Sequence, residues 1–395
     1  MTSQNHHSKI DYGLVLSIML LALVSLLSIY SAQQVGQYSG NFVLQQAFFY
    51  VLGVGVIAVV MRFDSDQLKK LSWYLYGFGI IMLLGLFVFP HCNTCIAPRI
   101  NGAVSWYNIP FVNFRFQPSE FVKVFLIILL AKLVTDHQQK VKVKTLRTDL
   151  RLLGKLTAVT MLPVLIIMKQ PDLGTSLVYL SILAAIILVS GITWKLILPI
   201  FAGGATIAGS IFYLVLAKPE ILEKYLGLHQ YQFKRVYSWL DPYNYPMREG
   251  FQLIRSLNAI GSGLTTGKGY GVSEVYFPEN HTDFIFSTIG EQFGFIGGSI
   301  VIGLFFMLIY HITKIALETK NNFYTYICAG IIMMIAFHVF QNIGMTIQLV
   351  PITGIPLPFI SYGGSSLIGN MLALGLVFSA RYHHRKYMFS SDRED

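Results

Sequence analysis

Long apolar runs, separated by shorter polar segments, repeat along almost the whole chain. As a helix, a run of about 20 residues crosses about 30 Å of hydrocarbon. The pattern therefore predicts membrane-spanning helices, and ten runs qualify: 12–32, 43–61, 71–89, 118–135, 156–168, 173–191, 196–217, 284–312, 324–348 and 364–380. The fifth run is short, so it needs neighbouring helices or a distorted bilayer surface to fit.

Composition agrees with this pattern. The chain is 54% hydrophobic and only 12% charged, whereas a soluble domain of 395 residues needs more charge to cover its surface. We expect an all-α polytopic membrane protein that forms a single integral membrane domain over residues 1–395. The first apolar run is long enough to remain as a span, so we expect no cleaved signal peptide.

The positions of the positive charges predict the orientation. With the N-terminus in the cytoplasm, cytoplasmic segments hold 17 Lys and Arg residues and the short outward segments hold three. The positive-inside rule then places both chain ends in the cytoplasm. This asymmetry accounts for the net charge of +10 without a nucleic-acid partner.

Three elaborate loops share the outward face in this arrangement. Loop 90–117 is aromatic and poor in charge, which is typical of a segment lying in the membrane interface. Loop 218–283 has 66 residues, too many for a simple connector. Loop 351–363 is apolar and contains three prolines; its backbone cannot face lipid, so we expect it to be re-entrant or packed against protein. The function is therefore predicted to lie outside the cytoplasm.

Asp283 is the strongest candidate for chemistry. It is the last charge before the eighth apolar run, at the end of the long outward loop. A carboxylate at such a border is partly desolvated, so its pKa can be tuned for proton transfer. The alternative is an ordinary aspartate that caps or flanks a helix.

Glu120 and Lys123 lie three residues apart at the start of the fourth run, so they share a helix face and can pair. A lysine followed by eight apolar residues is costly unless it faces a cavity or a partner. A role in function and a purely structural ion pair both remain open.

Other polar residues inside or beside the spans have two interpretations as well. Asp172 begins the sixth run, where the helix dipole alone favours a carboxylate. Glu291 lies two turns into the eighth run and needs an internal partner, structural or catalytic. The ninth run carries polar side chains that are more typical of contacts between helices than of a substrate site: His338, Gln341, Asn342 and Gln348.

Several motifs do not support a site. Gly267-Lys268-Gly269 lacks the first glycine and the final Ser/Thr of a nucleotide-binding loop. Cys92 and Cys95 face the oxidising side, where they form a strained disulfide or stay free; without a second pair they do not predict zinc. The basic tail that begins at Arg381, with His383 and His384, indicates an anchor to anionic lipid rather than a metal site.

Four stretches in this order resemble the SEDS family (shape, elongation, division and sporulation), whose members are membrane peptidoglycan polymerases. The stretches are Gln117-Pro-Ser-Glu-Phe-Val-Lys123, Gln170-Pro-Asp-Leu-Gly174, Pro278-Glu-Asn-His-Thr-Asp-Phe-Ile-Phe286 and Gly354-Ile-Pro-Leu-Pro-Phe-Ile-Ser-Tyr-Gly-Gly-Ser-Ser366. Ala259-Ile-Gly-Ser-Gly263 and Thr266-Gly-Lys-Gly269 look more like the elongation member than the division member.

The resemblance implies that the substrate is lipid II, a disaccharide-pentapeptide on undecaprenyl diphosphate, and that sugars are joined by a β-1,4 link with inversion. Diphosphate is a good leaving group, so one general base for the acceptor hydroxyl suffices, and Asp283 is the candidate. Charge on the diphosphate requires cations, from side chains or from a divalent ion such as Mg²⁺ or Mn²⁺. The substrate-binding candidates are Arg115, Gln117, Glu120, Lys123, Asp172, Glu291 and Ser361.

The resemblance also implies a partner, a class B penicillin-binding protein with transpeptidase activity, and a location in the bacterial plasma membrane with the active site outside. Two other classes compete with this assignment. A lipid II flippase also has polar residues within its spans, and a scaffold for division or elongation proteins also has many spans. The division or sporulation role within the same family is a third alternative.

Overall fold

The computed structural model describes residues 10–34, 40–89, 96–99, 103–109, 114–141, 143–217, 230–245, 249–275 and 279–389. Helices dominate these segments. In chain order they are α1 Tyr12–Gln34, α2 Phe42–Val60, α3 Ser65–Val88, α4 Pro118–Lys140, α5 Leu146–Met168, α6 Leu173–Val189, α7 Trp194–Ala217, α8 Gln230–Leu240, α9 Glu249–Ser262, α10 Ile285–Glu318, α11 Asn322–Thr346 and α12 Gly364–Phe389. Cys92, Cys95 and Pro278 lie outside the described residues, as does the side chain of His384.

Seven of the described helices are long and apolar enough to cross a membrane: α1, α2, α3, α5, α7, α10 and α11. Helix α6 is apolar but only 17 residues long. Each of the ten predicted apolar runs falls on one helix of the structure. The molecule is thus a helical, multi-pass membrane protein.

The predicted extent of the fifth span, 156–168, is wrong. Helix α5 begins at Leu146 and has 23 residues, enough to cross a bilayer without distortion. Thr145 caps its start, because the Thr145 side chain accepts a hydrogen bond from the Thr148 backbone N–H at 3.3 Å. The basic residues in the first turns of α5 interrupt the apolar run, which is why hydropathy alone placed its start too late.

Helix α4 lies at the centre of the molecule, in contact with α3, α5, α6, α11 and α12. Its middle is buried on nearly every side, from Val122 to Ala131. A helix surrounded in this way is expected to be apolar all round, and α4 departs from that expectation at Lys123. Pro118 occupies the first helical position, where its missing N–H costs nothing.

Helix α7 differs from the others because it packs little against the rest of the described chain. Only Ile197 and Val215 are buried among its 24 residues. Apolar side chains cover the remaining surface, which suits a helix that faces lipid on most sides.

Loop 90–117 contains a two-stranded antiparallel hairpin, β1 Tyr107–Ile109 and β2 Phe114–Phe116, which the sequence did not predict. The Tyr107 hydroxyl donates to the Met82 carbonyl at 2.7 Å and so ties the hairpin to α3. Strand β2 leads directly into α4 and fixes the approach of the chain to that helix.

Loop 351–363 is packed against protein, as its composition predicted. Its apolar side chains are buried, including Ile355, Leu357 and Ile360. Side chains of α2 hold its backbone: the Tyr50 hydroxyl donates to the Phe359 carbonyl at 2.5 Å, and the Gln46 amide donates to the Ser361 carbonyl at 3.1 Å. This loop forms one wall of the candidate site.

Candidate functional site

Asp283 lies in the turn before α10, where that helix meets loop 351–363 and α11. A side-chain Cβ at Gly354 would lie 3.2 Å from Asp283 Oδ2, so the carboxylate sits directly against the loop backbone. Gly354 has a φ of +71°, a conformation that favours glycine. The Asn342 amide donates to the Asp283 carbonyl at 2.7 Å and to the Ile355 carbonyl at 2.8 Å, which holds the three elements together.

Burial and nearby charge raise the pKa of the Asp283 carboxyl to about 8. Burial is the largest cause, because an ionised carboxylate loses its hydration there. The negative charges of Glu279 and Asp172 act in the same direction, and the guanidinium of Arg235 acts against them. A carboxyl that titrates near neutral pH is suited to accept a proton in catalysis.

Asp172 connects Asp283 with the interior of the bundle. It interacts electrostatically with Asp283 on one side and with Glu120 and Lys123 on the other. It also caps α6, because its carboxylate accepts hydrogen bonds from the Thr175 backbone N–H at 3.0 Å and the Thr175 hydroxyl at 2.7 Å. Burial raises the pKa of the Asp172 carboxyl. The predicted position of Asp172 at the start of the helix is confirmed. The structure adds the capping hydrogen bonds and an electrostatic effect on Asp283.

Glu120 and Lys123 form the predicted ion pair, with 2.6 Å between Lys123 Nζ and Glu120 Oε2. The lysine side chain is completely buried. The ammonium also contacts His338 Nε2 at 3.2 Å, and His338 Nδ1 lies 2.6 Å from the Met334 carbonyl oxygen. Because an ammonium only donates, Nε2 accepts from Lys123 and Nδ1–H donates to Met334, which assigns a neutral imidazole.

Sequence reasoning treated His338 as one of several polar contacts between helices and so missed its place in this cluster. Its contact with Lys123 joins α4 to α11, as that interpretation requires, but it also gives the ammonium its second partner. No sequence spacing indicates this pairing, because the two residues are 215 positions apart.

Arg115 and Gln117 lie on the approach to α4. The Ser365 hydroxyl donates to the Arg115 carbonyl at 3.0 Å and accepts from the Gln117 backbone N–H at 3.0 Å, which joins this segment to the start of α12. The Arg115 side chain is exposed, and its charge acts on the Tyr362 hydroxyl of loop 351–363. Arg115 therefore offers an exposed cation next to loop 351–363, which packs against Asp283.

Ser361 supports the turn that carries Asp283. Its hydroxyl donates to the Thr282 carbonyl at 2.6 Å and accepts from the Leu357 backbone N–H at 2.8 Å. Both hydrogen-bonding directions of this hydroxyl are thus used by the protein backbone. These contacts fix loop 351–363 to the residue just before Asp283.

Glu291 is held by the long outward loop. Its carboxylate accepts hydrogen bonds from the Glu274 and Val275 backbone N–H groups at 2.9 and 3.2 Å, from the Ser273 hydroxyl at 3.0 Å and from the Lys268 ammonium at 3.1 Å. A carboxylate with four such donors is a structural anchor. Of the two roles that the sequence left open for Glu291, the geometry favours the structural one.

Arg235 is a candidate that sequence reasoning did not select. It lies on α8 and is the positive charge that opposes the raised pKa of Asp283. Helix α8 is fastened to the end of α11, because the Trp239 indole donates to the Gln348 carbonyl at 2.9 Å and the Gln348 amide donates to the Trp239 carbonyl at 2.8 Å. Arg235 is one of seven basic residues in loop 218–283, and no pattern singles it out.

The described residues contain no group of three or more His, Cys, Asp or Glu side chains arranged to hold a metal ion. The carboxylate of Asp172 lies near enough to Asp283 to raise the pKa of the Asp283 carboxyl. Mg²⁺ is commonly held by one or two carboxylates together with substrate phosphates, so the Asp172 carboxylate is a candidate ligand for such an ion.

Comparison with known proteins gives a consistent result. The model of the FtsW/RodA/SpoVE family, described as cell cycle protein, matches residues 9–386. Stage V sporulation protein E of Bacillus subtilis (strain 168) is 34% identical over 95% of this chain and 98% of its own length. Peptidoglycan glycosyltransferase MrdB of Escherichia coli (strain K12) is 33% identical over 94% of this chain and 95% of its own length.

Solved structures share the architecture. A chain from a study of the coordination of polymerization and crosslinking by a peptidoglycan synthase complex superposes with a TM-score of 0.72 at 27% identity, covering 95% of this chain and 98% of that chain. The rod shape determining protein RodA of Thermus thermophilus superposes with a TM-score of 0.66 at 24% identity, covering 95% and 97% of the two chains.

Proposed function

The chain belongs to the FtsW/RodA/SpoVE family of cell cycle proteins, and we propose that it is a peptidoglycan glycosyltransferase that polymerises lipid II into glycan strands. Relatives of this chain that match nearly end to end carry the name peptidoglycan glycosyltransferase. The observation that carries the proposal for the site is the Asp283 carboxyl, which has a pKa of about 8. Asp172 acts on this carboxyl and is in turn affected by the buried Lys123.

Asp283 acts as the general base in this proposal. The carboxylate takes the proton of the acceptor 4-hydroxyl, and the hydroxyl oxygen bonds to the anomeric carbon of the donor. The bond from that carbon to the diphosphate oxygen breaks, and undecaprenyl diphosphate leaves with the electron pair. One displacement inverts the configuration and gives a β-1,4 link. No second carboxyl is needed to protonate the leaving group, because diphosphate is stable as an anion.

Positive charge stabilises the departing diphosphate. Arg115 is exposed beside loop 351–363, and Arg235 lies close enough to Asp283 to affect its pKa. Lys123 is buried in its pair with Glu120 and acts on the site through Asp172. We assign substrate contact to the two arginines and to Gln117, and electrostatic support to Glu120, Lys123 and Asp172.

A divalent cation such as Mg²⁺ or Mn²⁺ is part of the proposal. Asp172 would help to hold it together with substrate phosphates, and it would supply charge neutralisation at the leaving group. The test is polymerisation with and without EDTA, followed by addition of each ion alone. Unchanged activity in EDTA removes the metal from the mechanism without affecting the role of Asp283.

The site faces the outside of the bacterial plasma membrane in this proposal, with ten spans, cytoplasmic ends and residues 218–283 over the sugars. Loop 218–283 ends at Asp283, and Arg235 of that loop already acts on the carboxyl. Helix α7 leaves apolar surface uncovered, and we place the undecaprenyl chains along it. Lipid tails and sugars then lie on either side of the membrane boundary at which Asp283 stands.

The deciding experiment is polymerisation of purified lipid II by the purified protein in detergent, followed by gel analysis of the products. We expect Asp283→Asn to abolish polymer while the protein remains folded. Asp241→Asn is the matched control, because Asp241 is an exposed carboxylate of the same loop that bonds Asn244. Full activity of Asp283→Asn would overturn the assignment of the base.

The same assay separates an enzyme from a lipid II flippase, since detergent removes the membrane across which a flippase acts. A buried ion pair within the spans is compatible with a carrier. Polymer formed in detergent supports the enzyme, and flipping in vesicles without polymer formation supports the carrier.

We assign the protein to cell-wall elongation and cell shape, on the resemblance of 259–269 to the elongation member, RodA. Sporulation, division and elongation relatives share 31–34% identity with the chain, so overall identity does not separate these roles. We also propose a class B penicillin-binding protein as partner, because a structural relative comes from a complex that coordinates polymerization and crosslinking. Depletion that produces rounded cells supports elongation, and filamentation supports division.

A further inference from the structure

Loop 351–363 brings a further polar side chain, that of Thr353, next to the proposed base. Thr353 directly precedes Gly354, the residue whose backbone packs against the Asp283 carboxylate. Consecutive Cα atoms are about 3.8 Å apart, so Thr353 lies only one residue from that contact. The proposed mechanism leaves this neighbour of the base without a role.

The start of α6 fixes the position of Thr353 from the other side. A Cβ at Gly174 would lie 3.2 Å from Thr353 Cβ and 2.7 Å from Ile355 Cγ1, so a side chain at this position would crowd the loop. Glycine permits the close approach of the loop to the helix. Gly174 comes two residues after Asp172, which acts electrostatically on Asp283. Thr353 is thus held between the start of α6 and the turn that carries Asp283.

The hydroxyl of Thr353 has no hydrogen-bond partner in the part of the chain that the structure describes. The residue as a whole is partly exposed, but its Oγ1 atom is buried. Buried polar atoms are normally paired, and an unpaired one lowers the stability of the folded state. The protein therefore gains no stability from this hydroxyl, although a valine would fill the same space.

Asn342 adds a second unpaired group at the same junction. Its amide nitrogen donates to the Asp283 carbonyl at 2.7 Å and to the Ile355 carbonyl at 2.8 Å, so the side chain lies between the Asp283 turn and loop 351–363. Its Oδ1 atom is buried and has no partner among the described residues. A hydroxyl that donates and accepts, together with an amide oxygen that accepts, suits a ligand that carries hydroxyl groups.

We propose that Thr353 is a substrate-binding residue whose hydroxyl forms a hydrogen bond with the acceptor sugar; this inference rests on the proposed function. In that reaction the acceptor 4-hydroxyl comes within about 3 Å of the Asp283 carboxylate, so the acceptor sugar is the part of the substrate that meets the loop at Gly354. A hydroxyl on a neighbouring carbon of the sugar then reaches Thr353. This second contact fixes the orientation of the sugar while the 4-hydroxyl reacts.

The experiment compares Thr353→Val, which keeps the shape of the side chain without the hydroxyl, with Thr353→Ser, which keeps the hydroxyl. Thr346→Val is the matched control, because the Thr346 hydroxyl already donates to the Ile343 carbonyl at 2.7 Å within α11. Each purified full chain is assayed in detergent. The readouts are the initial rate of polymerisation of lipid II as a function of its concentration and of pH, and the Tm.

We expect Thr353→Val to lower kcat/KM by about tenfold or more, and Thr353→Ser and Thr346→Val to change it by about threefold or less, because only the first loses a hydrogen bond to substrate. The Tm of Thr353→Val should equal or exceed that of wild type, since valine removes an unpaired buried hydroxyl. The pH at which the rate is half-maximal should not move, because Thr353 contacts the sugar and not the Asp283 carboxylate.

Wild-type activity of Thr353→Val overturns the inference and leaves the proposed function intact. Equal losses in Thr353→Val and Thr353→Ser assign the effect to the shape of the side chain and overturn it as well. A lower Tm of Thr353→Val indicates a structural hydroxyl, and a shifted pH midpoint indicates one that acts through Asp283; either result overturns substrate contact. Absence of polymer from the wild-type chain overturns the proposed function, and this inference with it.

Discussion

At the scale of single residues, the environment of Asp283 predicts the pH dependence of polymerisation. Burial and the nearby carboxylates Glu279 and Asp172 raise the pKa of this carboxyl to about 8. A general base must be ionised, so kcat/KM should rise with pH and level off above about 8. The measurement is the initial rate of polymerisation as a function of pH at low lipid II. A flat profile through this range contradicts the assignment of Asp283 as the base.

The same shift predicts a stability change. The folded-state pKa of Asp283 lies above the ordinary aspartate value of 3.8, so the folded state binds the proton more tightly than the unfolded state. The stabilisation that the Asp283 carboxyl gives the folded state is therefore complete at low pH, and it is lost as pH rises towards about 8. The Asp283→Asn variant has no titrating carboxyl at this position, so its stability does not fall with pH for this reason. We expect the gain in Tm of the variant over wild type to be larger at about pH 9 than at about pH 5; an equal difference at both pH values contradicts the shift.

The buried pair of Glu120 and Lys123 predicts unequal effects of single and double substitution. Removal of one partner leaves an uncompensated buried charge, which costs about 3–5 kcal/mol in comparable sites. Lys123→Met should therefore lower Tm and activity together. The double variant Glu120→Gln/Lys123→Met removes both charges, so we expect Tm to recover while polymerisation stays low. Recovery of wild-type rate in the double variant would reduce the pair to a structural role.

At the scale of elements, Glu291 predicts how the outward loop is held near the base. Its carboxylate collects hydrogen bonds from Lys268, Ser273, Glu274 and Val275, shortly before the chain reaches Asp283. Glu291→Ala leaves two backbone N–H groups without partners, so residues 268–275 should loosen. We expect faster limited proteolysis within this segment and a lower kcat. The rise of activity with pH that reports the ionisation of Asp283 should be unchanged.

Lys268→Ala is the matched control for that prediction, because it removes one donor and leaves the two backbone contacts in place. Its effect on proteolysis should be smaller. If both substitutions leave the proteolysis rate unchanged, the contacts of Glu291 do not hold the loop. If Glu291→Ala shifts the pH profile, Glu291 acts on the base directly.

At this scale, the sequence predicted the features whose signals lie close together in the chain. The pairing of Glu120 with Lys123, the position of Asp172 at a helix start and the burial of loop 351–363 depend on near neighbours in the chain or on composition, and all three are confirmed. The start of α5 was wrong because its first turns are charged. The contacts of His338 and Arg235 join distant segments, and no spacing in one sequence reports such contacts.

At the scale of the whole molecule, the helical architecture and the family were predictable, because the lengths of the apolar runs and the order of the motifs can be read from the sequence without knowing how the helices pack. The two ends of the bundle differ in a way that the sequence alone did not suggest. One end holds the Asp283 carboxyl, whose pKa is raised and on which the guanidinium of Arg235 acts. The other end holds a polar cavity between the start of α3, the end of α4 and the turn from α10 to α11, lined by Lys69 and Lys320 among others. The two ends are joined by the long helix α10, which has a kink at Gly294 with a φ of +62°.

The orientation of the molecule predicts which end meets which side of the membrane. Lysines and arginines concentrate in segments at the cavity end, including those that flank Val143, so this end should face the cytoplasm. The native cysteines, three in number, are first replaced, and Val143→Cys and Thr266→Cys are introduced singly at exposed positions. A membrane-impermeant maleimide applied to intact cells should label Thr266→Cys, at the Asp283 end, and should label Val143→Cys only after permeabilisation. The reverse pattern would place Asp283 where no sugar acceptor on the outside of the cell reaches it, and polymerisation by this site would then be excluded.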